Sequence, residues 1–323
     1  MPNSNSAVNN ILASDIGGTS SRFAFFHEDG AQDLRLIFSI DLPTASAENF
    51  SALLEMLLAE DLPFAPSDAD SVILAAAGPV ERDGTYCNPP WIPWDIDLAR
   101  DKEQLPVSKT RLINDFVAQA FAVKTRVGRE AKVVLPADSA EGTIAVIGAG
   151  TNLGKALLFE TKHGTAAIPS EGGHVLFPVT NSREFSFLTF ALDELGESLL
   201  TVENVVSGKG IALVHKFLTG EVSEPEEITA AFSRYPETLE WCARFYARAC
   251  REFALDVLAT GGVYIAGGVA AKAPELLKAP AFKDEFLRSP RHADLLERIT
   301  VRVMDDEQSG LWGAAFCAMQ YLA

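Results

Sequence analysis

Twice in this chain a short apolar run ends in a glycine turn containing a threonine and then resumes as a second run. The first copy is Leu12-Ala13-Ser14-Asp15-Ile16-Gly17-Gly18-Thr19, followed by strand-like residues 22–27. The second is Ala145-Val146-Ile147-Gly148-Ala149-Gly150-Thr151, followed by 155–160. Apolar runs punctuated by glycine read as strands joined at a hairpin tip. A chain of 323 residues divides into about two domains at typical domain size. The duplication therefore predicts one such hairpin in each of two α/β units.

The rest of the chain fills in around these hairpins. Residues 34–40, 71–77 and 111–113 read as strands. Residues 47–59 read as a helix, because Phe50, Leu53, Leu54, Leu57 and Leu58 recur at helical spacing. The proline-rich 86–95 segment predicts a loop or sheet edge. A second unit opens at Thr143, with strands at 143–147, 155–160, 262–266 and 299–303. Residues 182–257 are mostly helical, including a stripe of Trp241, Phe245, Ala249, Phe253 and Val257. Helices are also expected at 116–123, 270–278 and 309–321, the last with Ser309 as its N-cap.

Charge narrows the function. The net charge of −17 and pI near 4.7 leave no basic footprint for nucleic acid. A polyphosphate ligand would have to be held by backbone dipoles or metal rather than a lysine patch. The polar opening, 1–10, is neither a signal peptide nor a membrane anchor, and no apolar run is long enough to span a bilayer. The cysteines Cys87, Cys242, Cys250 and Cys317 are scattered, which predicts buried free thiols in a cytoplasmic protein. The histidines lack zinc-site spacing.

Five motifs carry chemistry. In the first hairpin, Gly17 and Gly18 let backbone N–H groups approach an anion, Thr19 adds a hydroxyl, and Asp15 can hold a hydrated Mg²⁺. The same residues also fit a tight Asp-stabilised turn. The second loop, Gly148 to Gly154, departs from a dinucleotide fingerprint because a strand, not a helix, follows it. Gly267-Gly268 ends a strand and could seat a flat base, or could simply start a helix. Asn114-Asp115 ends another strand, at the sheet edge where open α/β sheets bind ligands. There Asp115 could accept a proton from a substrate hydroxyl or serve as an N-cap. Glu171-Gly172-Gly173-His174 joins an acid and an imidazole through a tight turn, and Glu203 could reach the same place.

Taken together, DIGGTSSR at 15–22, LINDF at 112–116, GAGTNLG at 148–154, EGGH at 171–174, ENVVSG at 203–208 and VYIAGG at 263–268 resemble the bacterial glucokinases. The match is to the branch without the zinc motif of the ROK sugar kinases. The resemblance implies an α/β, two-lobed ribonuclease H-like (actin-like ATPase) fold with a central interlobe cleft. It implies lobes at 1–123 plus 309–323 and at 124–308, with the C-terminal helix returning to the first. It further implies ATP-dependent phosphorylation of D-glucose to glucose 6-phosphate, feeding glycolysis, in a cytoplasmic homodimer. Asp115 would be the general base. Asn114, Asp115, Glu171, His174 and Glu203 would bind glucose. Ser14, Asp15, Ile16, Gly17, Gly18, Thr19, Gly148, Gly150, Thr151, Gly267 and Gly268 would bind ATP, with Asp15 meeting Mg²⁺ through water. A kinase for another hexose, or a sugar-sensing protein of the same fold without turnover, would keep most of these residues. Ser14 and Asn152 stand where the family usually has glycine, and the proline-rich segment departs from its pattern beyond Asn88.

Overall fold

The computed structural model describes residues 8–30, 33–101, 105–138 and 141–322, so most of the polar opening, 1–7, lies outside it. The chain forms two compact units. One runs up to Arg129 and takes in the segment from Gln308; the other is Glu130–Glu307.

The first unit opens with β1 (Asn9–Ile16), β2 (Ser20–Glu28), β3 (Leu34–Pro43) and β4 (Ser71–Ala76). A small antiparallel sheet follows, made of β5 (Val80–Glu81), β6 (Tyr86–Cys87) and β7 (Ile96–Asp97). The proline-rich segment is thus anchored by two short strands rather than being wholly a loop. Then β8 (Thr110–Asn114) completes a sheet of order β3-β2-β1-β4-β8. Pairing is antiparallel across β3-β2-β1 and parallel across β1-β4-β8. Every residue of β4 is buried, which is why its sequence is one continuous apolar run. The edge strand β3 alternates between intermediate and exposed over most of its length.

The second unit repeats that plan. Its strands are β9 (Lys132–Leu135), β10 (Ile144–Ala149), β11 (Leu153–Thr161), β12 (Gly164–Ser170), β13 (Gly262–Ala266) and β14 (Val301–Val303). Their order is β12-β11-β10-β13-β14-β9, again antiparallel for the first three and parallel from β10 to β14. An extra strand, β9, adds antiparallel to the edge. The core packs Phe187, Trp241, Phe245 and Phe253 between helices and sheet, with the long helix Pro236–Asp256 supplying the last three.

Several local expectations are corrected. Residues 270–278 form two helices, Gly268–Lys272 and Glu275–Lys278, because Pro274 cannot continue the ladder. The helix after β8 is Asp115–Ala122, capped by Asn114. Ser309 is the first helical residue of Ser309–Gln320 rather than its N-cap; Gln308 precedes it without a side-chain cap. The Ser309 hydroxyl instead donates to Gln119 Oε1 at 2.7 Å. That terminal helix packs on Asp115–Ala122 so closely that a Cβ on Gly313 would stand 1.7 Å from the Ala118 carbonyl oxygen. All four cysteines are buried free thiols. No helix among the described residues is long and apolar enough to cross a membrane.

Candidate active site

In the first unit, the register of the central strands lines up the functional residues. Asp15 pairs with Ala75, which pairs with Ile113; Ile16 pairs with Ala76, which pairs with Asn114. The glycine turn after β1 and the start of the Asp115 helix therefore leave the same edge of the sheet. The Asn114 side chain caps that helix, accepting from the amides of Phe116 and Val117 at 2.9 and 3.3 Å. Its Nδ2 donates to the Gly78 carbonyl at 3.1 Å. Asp115 occupies the first helical position, where the helix dipole favours a carboxylate. Its Oδ1 accepts from the Phe116 amide at 2.9 Å.

The first glycine turn closes on itself. Gly17 N–H donates to the Ser20 carbonyl at 3.1 Å, and Thr44 Oγ1 donates to the Gly17 carbonyl at 2.7 Å. A Cβ on Gly18 would stand 3.0 Å from the Trp91 carbonyl oxygen, so the proline-rich segment lies directly on this turn. The Ser14 side chain is fully buried and its hydroxyl has no partner among the described residues, leaving only its backbone to serve a ligand. Asp15 is half-buried. Burial raises its pKa, Arg22 draws it down, and Asp41 pushes it up, the net effect being upward. One Asp15 oxygen lies 3.3 Å from where a Cβ on Gly310 would sit, so the first turn of the terminal helix abuts this carboxylate. Sequence reading placed that helix in this unit but did not connect Gly310 with Asp15.

In the second unit the other motifs gather. Leu153 N–H donates to Glu203 Oε2 at 3.1 Å, tying Glu203 to the second glycine loop. Glu203 N–H donates to the Gly173 carbonyl at 2.9 Å, which ties it also to the 171–174 turn. Gly173 has no room for a side chain, since a Cβ would lie 2.3 Å from the Leu153 carbonyl oxygen. His174 N–H closes the turn on the Glu171 carbonyl at 3.0 Å. The two exposed side chains come within 3.8 Å, His174 Nε2 to Glu171 Oε2.

Gly267 takes φ +85 and would place a Cβ 2.6 Å from the Ala149 carbonyl oxygen, so the third glycine pair rests on the second loop. At Gly150 and Gly268 the space a Cβ would fill is open. Both glycines line a cavity of about 440 Å³, with Thr151, Gly208, Lys209, Glu224, Pro225 and Lys272. Two other cavities of the unit are larger, 640 and 550 Å³, but none of the motif residues lines them. The Gly150 amide is occupied by the Asn152 carbonyl at 2.8 Å, and that of Ala149 by the Tyr246 hydroxyl at 3.3 Å. Lys209 and Lys272 are the residues that sequence reading missed here. They are far apart in sequence, and only the Gly208-Lys209 step at a helix start hinted at the first.

Among the described residues no group of three or more His, Cys, Asp or Glu side chains could cage a metal. A single carboxylate at a glycine turn suits Mg²⁺, which keeps waters and shares phosphate oxygens rather than entering an all-protein cage.

This duplicated sheet order with glycine hairpins defines an α/β protein of the actin-like ATPase fold. Solved structures of the same fold include a glucokinase from an Antarctic psychrotroph, at TM-score 0.80 and 25% identity, covering 96% of this chain and 99% of that one. A ROK family glucokinase from Streptomyces griseus, in complex with glucose and AMPPNP, matches at TM-score 0.65 and 18% identity over 97% and 100%. By sequence, a glucokinase of Trichormus variabilis is 28% identical over 341 residues, spanning 95% of this chain and 98% of its own. The chain belongs to the glucokinase family, whose model matches residues 12–321.

Proposed function

We propose that this protein transfers the γ-phosphoryl group of ATP to the 6-hydroxyl of D-glucose. The observation that carries the reading is the register of the first sheet. It sets Asp15 and the first glycine turn two strands from Asn114 and Asp115, roughly 10 Å at ordinary strand spacing. Phosphoryl transfer asks for positioning and charge neutralisation more than covalent help, and that spacing suits a phosphate at one strand end and a hydroxyl at the other.

Asp115 accepts the 6-hydroxyl proton, and Asn114 holds the strand-to-helix junction on which Asp115 stands. In the second unit Glu171, His174 and Glu203 accept the remaining hydroxyls. The turns Ser14 to Thr19 and Gly148 to Thr151 receive the phosphates, while Gly267 and Gly268 border the adenosine. With the Gly17 and Gly150 amides engaged within their own turns, Thr19, Thr151, Lys209 and Lys272 take a larger share of the phosphate charge. Mg²⁺ would be held by Asp15 through water and would neutralise charge developing on the transferred group. The family reading extends to a cytoplasmic homodimer that feeds glycolysis.

The test is an ATP-consumption assay with and without glucose, repeated across a hexose panel and with EDTA. ADP release that depends on glucose and on Mg²⁺ is expected; no turnover on any hexose would refute the reading.

A further inference from the structure

Lys155 lies in β11, directly after the second glycine loop, paired with Ile147 on one side and Ser170 on the other. It is only 4% exposed, unusual for lysine, whose charged form is costly to bury. Its Nζ donates to the Gly172 carbonyl at 2.9 Å and lies 5.2 Å from the centre of the Phe253 ring. The lysine stem also supports the turn from below: a Cβ on Gly172 would meet its Cδ at 3.1 Å. From the long helix, Cys250, Glu252 and Asp256 face the ammonium, and burial keeps the Cys250 thiol protonated. Arg248 lines the same small cavity of about 250 Å³.

We propose that Lys155 is a positioning residue that fixes the 171–174 turn so that Glu171 and His174 are presented to the sugar. The turn's other bonds shown here are to backbone amides: Gly172 N–H to Ser170 Oγ at 3.1 Å, His174 N–H to the Glu171 carbonyl, and Glu203 N–H to the Gly173 carbonyl. Lys155 reaches the Gly172 carbonyl with a charge-assisted bond, roughly twice the strength of a neutral one. The buried ammonium directs this hydrogen bond at a backbone carbonyl of the turn, while Glu252 and Asp256 contribute charge from the long helix. A methionine there would keep the stem packing and remove the charge. The proposal rests on the reading that Glu171 and His174 bind the sugar.

The experiment compares Lys155→Met, Lys155→Arg and Glu171→Gln. Amide hydrogen exchange at 171–174 is measured alongside steady-state kinetics in glucose and in ATP. In Lys155→Met, exchange at these amides is expected to accelerate at least tenfold and the glucose KM to rise about tenfold. The ATP KM and thermal midpoint should stay near wild type, and Lys155→Arg should recover most of both losses. A folded Lys155→Met protein with wild-type exchange and wild-type glucose KM overturns the proposal. If Glu171→Gln raises the glucose KM in the same experiment, the sugar assignment survives that failure. If Glu171→Gln leaves the glucose KM unchanged, the sugar assignment itself falls, and the exchange data still judge whether Lys155 holds the turn.

Discussion

Asn114 and Gly78 are joined by a hydrogen bond from the Asn114 side-chain amide to the Gly78 carbonyl, at 3.1 Å. It ties the start of the Asp115 helix to the end of β4, while the other end of the same amide caps the helix. Asn114→Ala removes both. Loss of the cap alone costs about 1 kcal/mol, and the part-buried Gly78 carbonyl is left without this partner. A drop of about 2–3 kcal/mol in urea-unfolding stability is expected, with kcat falling as Asp115 loses its fixed position. Asn114→Asp retains the cap acceptor and should recover roughly half of the stability.

Asp115 stands at the first position of a helix whose cap is already supplied by its neighbour. Asp115→Asn should therefore unfold near the wild-type midpoint while kcat falls about 10²–10⁴-fold, the usual contribution of a general base. Stopped-assay turnover at saturating glucose and ATP checks it. A folded variant with near-normal kcat removes Asp115 from the chemistry.

At Gly267 a positive φ of +85 and a Cβ position 2.6 Å from the Ala149 carbonyl oxygen act together. Gly267→Ala must shift either its own helix start or the second glycine loop. Backbone strain of this kind costs about 1–3 kcal/mol. The expected signature is a raised ATP KM with a glucose KM changed less than twofold, because the displaced elements border the proposed nucleotide cavity.

Much of this architecture was legible because its signals are local. Gly17-Gly18 and Gly148 to Gly150 sit between apolar runs, so both hairpins could be read, and β4 betrays its burial by lacking any charged residue. Partners remote in sequence were not legible. Lys132–Leu135 is a short edge strand with its first two residues exposed, and only its pairing with Val301–Val303 makes it part of a sheet. The choice of Asn114 over Asp115 as cap is a one-residue question of register, since both residue types cap well. Lys209 and Lys272 meet at one cavity only through folding.

Ser14 is a buried hydroxyl of β1 with no hydrogen-bond partner among the described residues. Its strand neighbours in register are Phe23 and Leu74. An orphaned buried polar group costs about 1–3 kcal/mol, so Ser14→Ala should raise the urea midpoint. Activity should be retained within about twofold, because Ser14 joins Asp15 and the glycine turn through its backbone, which the substitution leaves in place. A loss of stability would show that the hydroxyl has a partner in solution.

Arg248 is the largest fully buried side chain among the described residues and carries its charge between two buried carboxylates. It donates to Glu184 at 2.8 and 3.0 Å, to Glu285 at 2.8 Å and to the Pro178 carbonyl at 2.8 Å, while Arg251 meets the same Glu285 oxygen at 2.9 Å. Burial pushes the Glu184 carboxyl up, yet the Arg248 bonds and charge, with Thr180, outweigh it and hold the pKa below the ordinary 4.5. A depressed folded pKa gives stability that is fully present above the unfolded value and is lost as pH falls through the folded one. The wild type should therefore lose unfolding stability on acidification below about pH 4.5. Arg248→Met leaves Glu184 buried without its cation, at a cost of about 3–5 kcal/mol near pH 7. Protonation then relieves rather than aggravates the defect, so the gap between variant and wild type should narrow from pH 7 to pH 4. Urea midpoints at the two pH values decide it: a gap that stays constant or widens would mean that the pair does not govern the acid limb.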